Sequence, residues 1–348
     1  NTIAVVTDGS RVLGLGNIGP EASIPVMEGK CALFVEYGAI DAFPLPLKAR
    51  TNEEFVAAVK AMEPIFGGIN LEDIQIPHCF EIEEILIKEL DIPVFHDDQH
   101  GTAVVALAGI YNALKLLGRK IENQRVIISG AGAAGSAVAK LLVAAGIGDV
   151  ILFDREGVIC RGRTDYMMPY KYKLAEITNK ENFKGTLHEG LVGADIFIGL
   201  ACPGLVAGED IKKMAKDPIV FALSNPDPDI SPEEAKSAGA KIICTGRSDL
   251  GNQVNNLLAF PGIMRGALDS RARVINEAMK VAASMTIANL LPENELREDR
   301  IIIEPFAKGV AQAVAKSVAK AAFDTSVART NLTLQEVCDL IERRLEDK

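Results

Sequence analysis

The chain has 348 residues, 48% of them apolar and 24% charged, a balance that excludes a globally disordered protein. At about 150 residues per domain this length accommodates two domains with cores of their own, so no staple is needed for folding. With 37 Lys and Arg against 47 Asp and Glu, the formal charge of −10 carries no electrostatic footprint of a nucleic-acid or anionic-membrane partner. Six scattered cysteines, at 31, 79, 160, 202, 244 and 338, form no CxxC pair and fit reduced thiols in a cytoplasmic compartment.

The chain begins at Asn1 without Met and shows no charged or apolar leader, so no targeting segment is visible. Residues 2–19 read as two short β-rich pieces broken by Asp8-Gly9 and closed by a glycine loop. Helical patterning follows over 21–28, then a strand is expected at 32–36. Thr51 with Glu54 reads as a capping box opening a helix to about Met62, and 92–95 as a short buried strand after a helix over about 79–90. The apolar stretch 101–118 contains Asn112 and Lys115, which makes it a poor membrane span and a buried helix instead. Residues 125–154 read as strand, glycine turn, helix and strand, a βαβ unit. Short apolar strands follow at 196–200, 219–223 and 242–244, with a helix opened by Ser231, Pro232 and Glu234 between the last two. From about Ser270 the pattern is helical, including an Ala/Val-rich run at 310–323 and a last helix capped by Thr333 and Glu336. The fold class is therefore α/β.

Two GxGxxG loops occur, at 14–19 and 130–135. The second has the context of a dinucleotide site: Gly130, Gly132, Ala133, Ala134 and Gly135 lead into a helix whose N-terminus can accept a pyrophosphate. Asp154 ends the next strand, where an acid binds the ribose 2′-hydroxyl of NAD. Arg155 beside it keeps NADP open. Glu36 follows the first loop at a similar distance, and spacing alone does not decide between the loops. Pro20 and Glu21, directly after the first loop, argue against a phosphate there.

Two acidic pairs, Glu72/Asp73 and Asp97/Asp98, stand at expected strand or turn ends. Acids at turns are ordinarily solvated, but carboxylates that converge repel one another unless a cation sits among them, and Mg²⁺ or Mn²⁺ suits oxygen ligands. His96 and His100 lack the spacing of a zinc site. Lys30 lies between a helix and an expected strand; partly desolvated and beside a metal, it would have a lowered pKa suited to base catalysis. Arg11 is a surface arginine or a carboxylate clamp. Asn225 at a strand end, and Asn255 and Asn256 before Phe260-Pro-Gly, are turn residues or ligands of a carboxylate or a nicotinamide amide.

These segments together, TDGSRVLGLGNIGPEASIPVMEGK, FGGINLEDI, IPVFHDDQHGTA, GAGAAG, FALSNP and TGRSDLGNQVNNLLAFPG, resemble the malic enzymes in their compact prokaryotic form, collinearly from about residue 4 to 266. The resemblance implies oxidative decarboxylation of (S)-malate to pyruvate and CO₂ with NAD or NADP and Mg²⁺ or Mn²⁺. It implies metal carboxylates at Glu72, Asp73 and Asp98, a general base at Lys30 with Asp97 as its acidic partner, a substrate-carboxylate arginine at Arg11, and substrate asparagines at Asn225 and at Asn255 or Asn256. It assigns the coenzyme to loop 130–135, with Asn225 also near it, and the loop 14–19 to the substrate domain. The tyrosine of the family's Tyr-Thr-Pro motif, which protonates C3, has no counterpart among the five tyrosines, so it is expected upstream of Asn1 unless Lys30 serves both steps. A doubly wound Rossmann-type coenzyme domain inserted in a discontinuous α/β substrate domain is implied: 1–96 as the first substrate and metal part, 97–256 as the coenzyme domain and 257–348 as a helical return. A homodimer or higher oligomer is expected too. Two other readings remain at this stage, a metal-dependent oxaloacetate decarboxylase needing no coenzyme and a nucleotide-sensing protein on an impaired scaffold.

Overall fold

In the computed structural model, which describes residues 1–346, the first apolar run forms β1 (Thr2–Thr7). There follow α1 (Gly19–Gly38), β2 (Asp41–Pro46), α2 (Asn52–Met62), β3 (Gly68–Leu71), α3 (His78–Glu89), β4 (Val94–His96) and α4 (Asp97–Leu117). The four strands make one parallel sheet in the order β2-β1-β3-β4. Parallel register sets the C-terminal ends of β1, β3 and β4 side by side, so the chain leaving them brings residues 8–11, 72–73 and 97–98 to one end of the sheet.

Two local expectations fail here. The strand expected at 32–36 is the second half of α1, a helix whose buried residues, Ser23, Met27, Cys31, Phe34 and Gly38, recur every three or four positions. Pro25 and Gly29 lie on its exposed face, where the helix accommodates them. The second β-rich piece is a turn closed by a lone bridge between Val12 and Gly16. The cap of α2 forms as expected, with the Thr51 hydroxyl accepting from Glu54 N at 3.2 Å; the Glu54 carboxylate turns to Arg50 N instead of closing the box. Helix α4 is long and apolar enough to cross a membrane by length and composition alone, yet 67% of that window is buried inside the chain.

A second parallel sheet follows, built from β5 (Arg125–Ser129), α5 (Ala133–Ala144), β6 (Asp149–Asp154), the short antiparallel β7 (Gly157–Val158), α6 (Pro169–Ile177), α7 (Leu187–Leu191), β8 (Ile196–Gly199), α8 (Gly208–Ile211), β9 (Ile219–Ala222), α9 (Pro232–Ser237) and β10 (Ile242–Thr245). Its order is β10-β9-β8-β5-β6-β7. The chain steps from β5 to β6 on one side and then to β8 on the other, which makes the β5/β8 boundary the switch point where ligands of doubly wound sheets bind. Ile127, Phe153, Phe197 and Val220 fill one core of this sheet.

The chain ends in α10 (Phe260–Asp269), α11 (Glu277–Asn289), α12 (Val310–Asp324) and α13 (Leu334–Leu345). Helix α10 begins ten residues before helical pattern was expected, because Phe260-Pro261-Gly262 reads as a turn. Pro at the first positions opens the helix instead. Gly262 and Gly266 let α12 approach: a Cβ on them would lie 2.7 Å from Val314 Cβ and 2.4 Å from Ala315 O.

The contacts divide the chain into two units, one of Asn1–Gly101, Asn256–Ile287 and Pro305–Lys348 and one of Thr102–Asn255 and Ala288–Glu304. Residues 288–304, expected in the return segment, pack with the coenzyme sheet instead. Buried Asn112 donates to Ala288 O and Ile301 O, both at 2.9 Å, and Asn252 donates to Glu298 O at 2.8 Å and accepts from Ile301 N at 2.7 Å.

Candidate active site

In the first unit Lys30 is drawn inward because it lies three residues after Met27 and four before Phe34, both on the buried face of α1. Its ammonium donates to Asp97 Oδ2 at 2.6 Å, lies 2.9 Å from Glu72 Oε1 and stands 4.3 Å over the Phe260 ring. Burial pulls the Lys30 pKa down, but the Asp97 and Glu72 carboxylates outweigh it and the net direction is up. With two carboxylates in contact, Lys30 is held as an ammonium; the lowered pKa is the expectation for a lysine beside a bound metal.

Glu72 and Asp73 follow β3 and are 6% and 5% exposed. Asp73 has φ 55°, and its backbone N donates to Asp98 Oδ2 at 2.8 Å. Burial first, and then repulsion from Asp98, pushes Asp73 up to about 7; burial also lifts Glu72 well above the ordinary carboxylate range, with Lys30 opposing and Asp98 and Asp97 adding to it. Asp97 Oδ1 and Asn70 Oδ1 are buried with no hydrogen-bond partner.

Among the described residues no three His, Cys, Asp or Glu side chains are gathered as a group that could hold a metal ion, and Glu72 is engaged by Lys30 at 2.9 Å. The donors are nevertheless hard oxygens in excess over one lysine, and their mutual repulsion is the deficit a divalent cation relieves. The residues therefore fit Mg²⁺ or Mn²⁺ in chemistry, provided that Glu72 exchanges Lys30 for the ion.

Other residues of this centre were not singled out from the sequence. Asn70, a polar residue in an otherwise apolar strand, donates to Glu72 Oε2 at 2.8 Å. A Cβ on Gly101 would lie 2.1 Å from Asp97 Oδ1 and 2.8 Å from Asn256, so glycine keeps that space clear. Asn256 donates to Asp97 Oδ2 at 3.2 Å. Arg11 is exposed, and its backbone N donates to Asp73 O at 2.9 Å, placing it beside the acids. Asn225 and Asn255 lie in the second unit, Asn225 exposed just after β9.

In the second unit the loop 130–135 joins β5 to α5, with Gly132 at the helix N-cap. Gly130 has φ 108°, and a Cβ on Gly135 would lie 1.8 Å from Gly130 O; both positions require glycine, as a turn that brings backbone against a pyrophosphate does. The other loop leads into α1, and Glu36 lies inside that helix rather than at a strand end, so it has no acid placed for a ribose.

Asp154 does end β6, but its carboxylate is occupied. It accepts from Arg163 at 2.9 and 3.1 Å, from Lys171 at 2.6 Å and from Glu156 N at 2.9 Å. Burial raises its pKa, and the bonds from Lys171 and Arg163 outweigh that, leaving it below the ordinary value.

A doubly wound sheet with a glycine loop at its switch point, in a chain whose other unit carries a lysine among carboxylates, defines a nucleotide-dependent α/β enzyme. The profile of the malic enzyme NAD-binding domain matches residues 99–323 and that of the malic enzyme N-terminal domain residues 1–54. The chain is 54% identical over 339 residues to the bifunctional malic/malolactic enzyme of Bacillus subtilis, spanning 97% of this chain and 83% of that one. It is 55% identical over 329 residues to the NAD-dependent malic enzyme of Geobacillus stearothermophilus, spanning 94% and 68%. A crystal structure of malic enzyme from Pyrococcus horikoshii superposes with a TM-score of 0.94 at 48% identity, over 99% of this chain and 82% of that one. The chain belongs to the malic enzyme family, whose members among its relatives are NAD- and NADP-dependent.

Proposed function

We propose that the protein oxidatively decarboxylates (S)-malate to pyruvate and CO₂, reduces NAD(P)⁺ and depends on Mg²⁺ or Mn²⁺. The observation that carries this reading is Lys30 held between Glu72 and Asp97, one proton-carrying group inside a set of oxygen donors. Glu72, Asp73 and Asp98 would hold the divalent ion, which when bound supplies Lewis acidity toward the 2-hydroxyl and the later enolate. Once Glu72 is engaged elsewhere, Lys30 loses one of the two charges that keep it protonated, and it becomes able to accept the proton of the malate 2-hydroxyl. Asp97 stays as its partner. Arg11 and Asn256 would orient the substrate carboxylates.

The 130–135 loop would hold the coenzyme pyrophosphate, and the coenzyme when bound would supply the acceptor for the hydride of C2. The oxaloacetate so formed loses its C4 carboxylate as CO₂, and protonation at C3 gives pyruvate; Lys30, carrying the proton it took, is the acid present in this chain. For the coenzyme, Asp154 is already paired with Arg163 and Lys171, and the exposed Arg155 is paired with Glu156 at 3.0 Å. Three cations thus face two acids where the 2′-substituent would bind, which supports use of NADP alongside NAD.

Incubation with malate, Mn²⁺ and either coenzyme tests the reading: pyruvate and reduced coenzyme are expected in equal amounts. Oxaloacetate consumed without any coenzyme reduction from malate would favour a simple decarboxylase instead.

A further inference from the structure

A buried carboxylate outside the expected catalytic set ties down the segment that carries Asp97 and Asp98. Glu83 lies on α3 and is 7% exposed. Its Oε1 accepts from His96 N at 3.2 Å and from His100 Nε2 at 2.8 Å, and its Oε2 accepts from Gln99 Nε2 at 3.0 Å. The three donors bracket Asp97 and Asp98. His100 Nδ1 lies 3.2 Å from Lys280 Nζ, which can only donate, so the imidazole is neutral with its proton on Nε2, facing Glu83. Lys280 is paired in turn with Glu277 at 2.6 Å.

We propose that Glu83 is a positioning residue for the acidic centre, fixing the β4–α4 junction so that Asp97 meets Lys30 and Asp98 meets Asp73 N; its catalytic consequence rests on the proposed malate reaction. His96 N and the protonated His100 Nε2 can only donate and share Oε1, whereas the Gln99 amide can turn to present either end. A glutamine there offers the two histidines a neutral oxygen in place of a carboxylate and makes Gln99 turn, so the charge-assisted bonds to the segment are lost. A neutral spacer of the same shape therefore does not substitute for it, and loosening residues 96–100 displaces both acids together.

The test is Glu83→Gln in the full chain, assayed with Mn²⁺, malate and coenzyme and followed in parallel by amide hydrogen exchange. Faster exchange confined to residues 96–100 is expected. So is a rise of about 10–100-fold in the Mn²⁺ concentration for half-maximal rate, the usual cost of losing an outer partner of a metal ligand. The KM for coenzyme should stay unchanged. A variant that only melts earlier, with exchange at 96–100, kcat and Mn²⁺ requirement as in the wild type, overturns the proposal. If Glu83→Gln does not fold, Gln99→Met removes one donor and keeps the carboxylate; the same signature, smaller, supports positioning, and none overturns it. A wild type that turns over without divalent metal refutes the metal reading, while the exchange pattern still decides on Glu83.

Discussion

The two units solve the problem of holding charged ligands in opposite ways. The proposed coenzyme loop is local: six consecutive residues, a helix N-terminus and two glycines that cannot carry a Cβ, with backbone N–H groups rather than side chains to meet a phosphate. The acidic centre is assembled from the middle of α1, the ends of β3 and β4 and the start of α10, and its chemistry lies wholly in side chains. A local device tolerates change around it but not within it. An assembled one fails through any of several distant positions.

That contrast gives predictions of graded size. Lys30→Ala removes the ammonium held between Glu72 and Asp97, and kcat for malate oxidation should fall by roughly 10²–10⁴-fold, the usual share of a general base, with coenzyme binding by fluorescence titration unaltered. Loss of coenzyme binding in this variant would break the separation between the units.

A matched pair of substitutions, Gly101→Ala and Gly135→Ala, sharpens it further. The new methyl at 101 lands on Asp97 and Asn256, and displacement of reacting groups by an ångström costs on the order of 10²-fold in rate. The loss should appear in kcat. The methyl at 135 lands on Gly130 O; relief of that overlap costs about 1–3 kcal/mol and should appear as a raised coenzyme KM and a lower melting temperature. The same profile from both variants would show that the two sites are not separable by these measurements.

At Asp154 the effect is expected on stability and its pH dependence rather than on the chemistry. Because its folded-state pKa is depressed, its contribution to stability is present above its unfolded pKa, near ~3.9, and is lost as pH falls through the lower folded value. Asp154→Asn should therefore destabilise by about 1.5–3 kcal/mol at pH 7, and urea denaturation should show the difference shrinking in acid. A constant difference down to pH 3 would mean that the ion pairs contribute nothing.

Legibility in the sequence follows the same division. The 125–154 unit could be read because strand, turn, helix and acid succeed one another within thirty residues, and each local rule agrees with the next. Lys30 could be placed near the acids only through family resemblance, since nothing local to Glu28-Gly29-Lys30 indicates that a helix continues to Gly38 and turns the lysine inward. The helix expected to end at 28 runs to Gly38, and the helical pattern expected from about Ser270 starts at Phe260, because exposed or N-terminal positions in a helix accept glycine and proline. Asn70, Gly101 and Glu83 acquire meaning only when the strand ends stand side by side. Asp154 was correctly located, but its pairing with Arg163 and Lys171 depends on the chain after β7 returning to it.

The central claim is that the first unit's carboxylates hold a divalent cation that the second unit's glycine loop does not need. Equilibrium Mn²⁺ binding by electron paramagnetic resonance on the wild type, Asp98→Asn and Gly135→Ala tests it directly. One Mn²⁺ per chain is expected in the wild type and in Gly135→Ala, with binding lost or weakened by at least about tenfold in Asp98→Asn. Undiminished Mn²⁺ binding by folded Asp98→Asn would contradict the account.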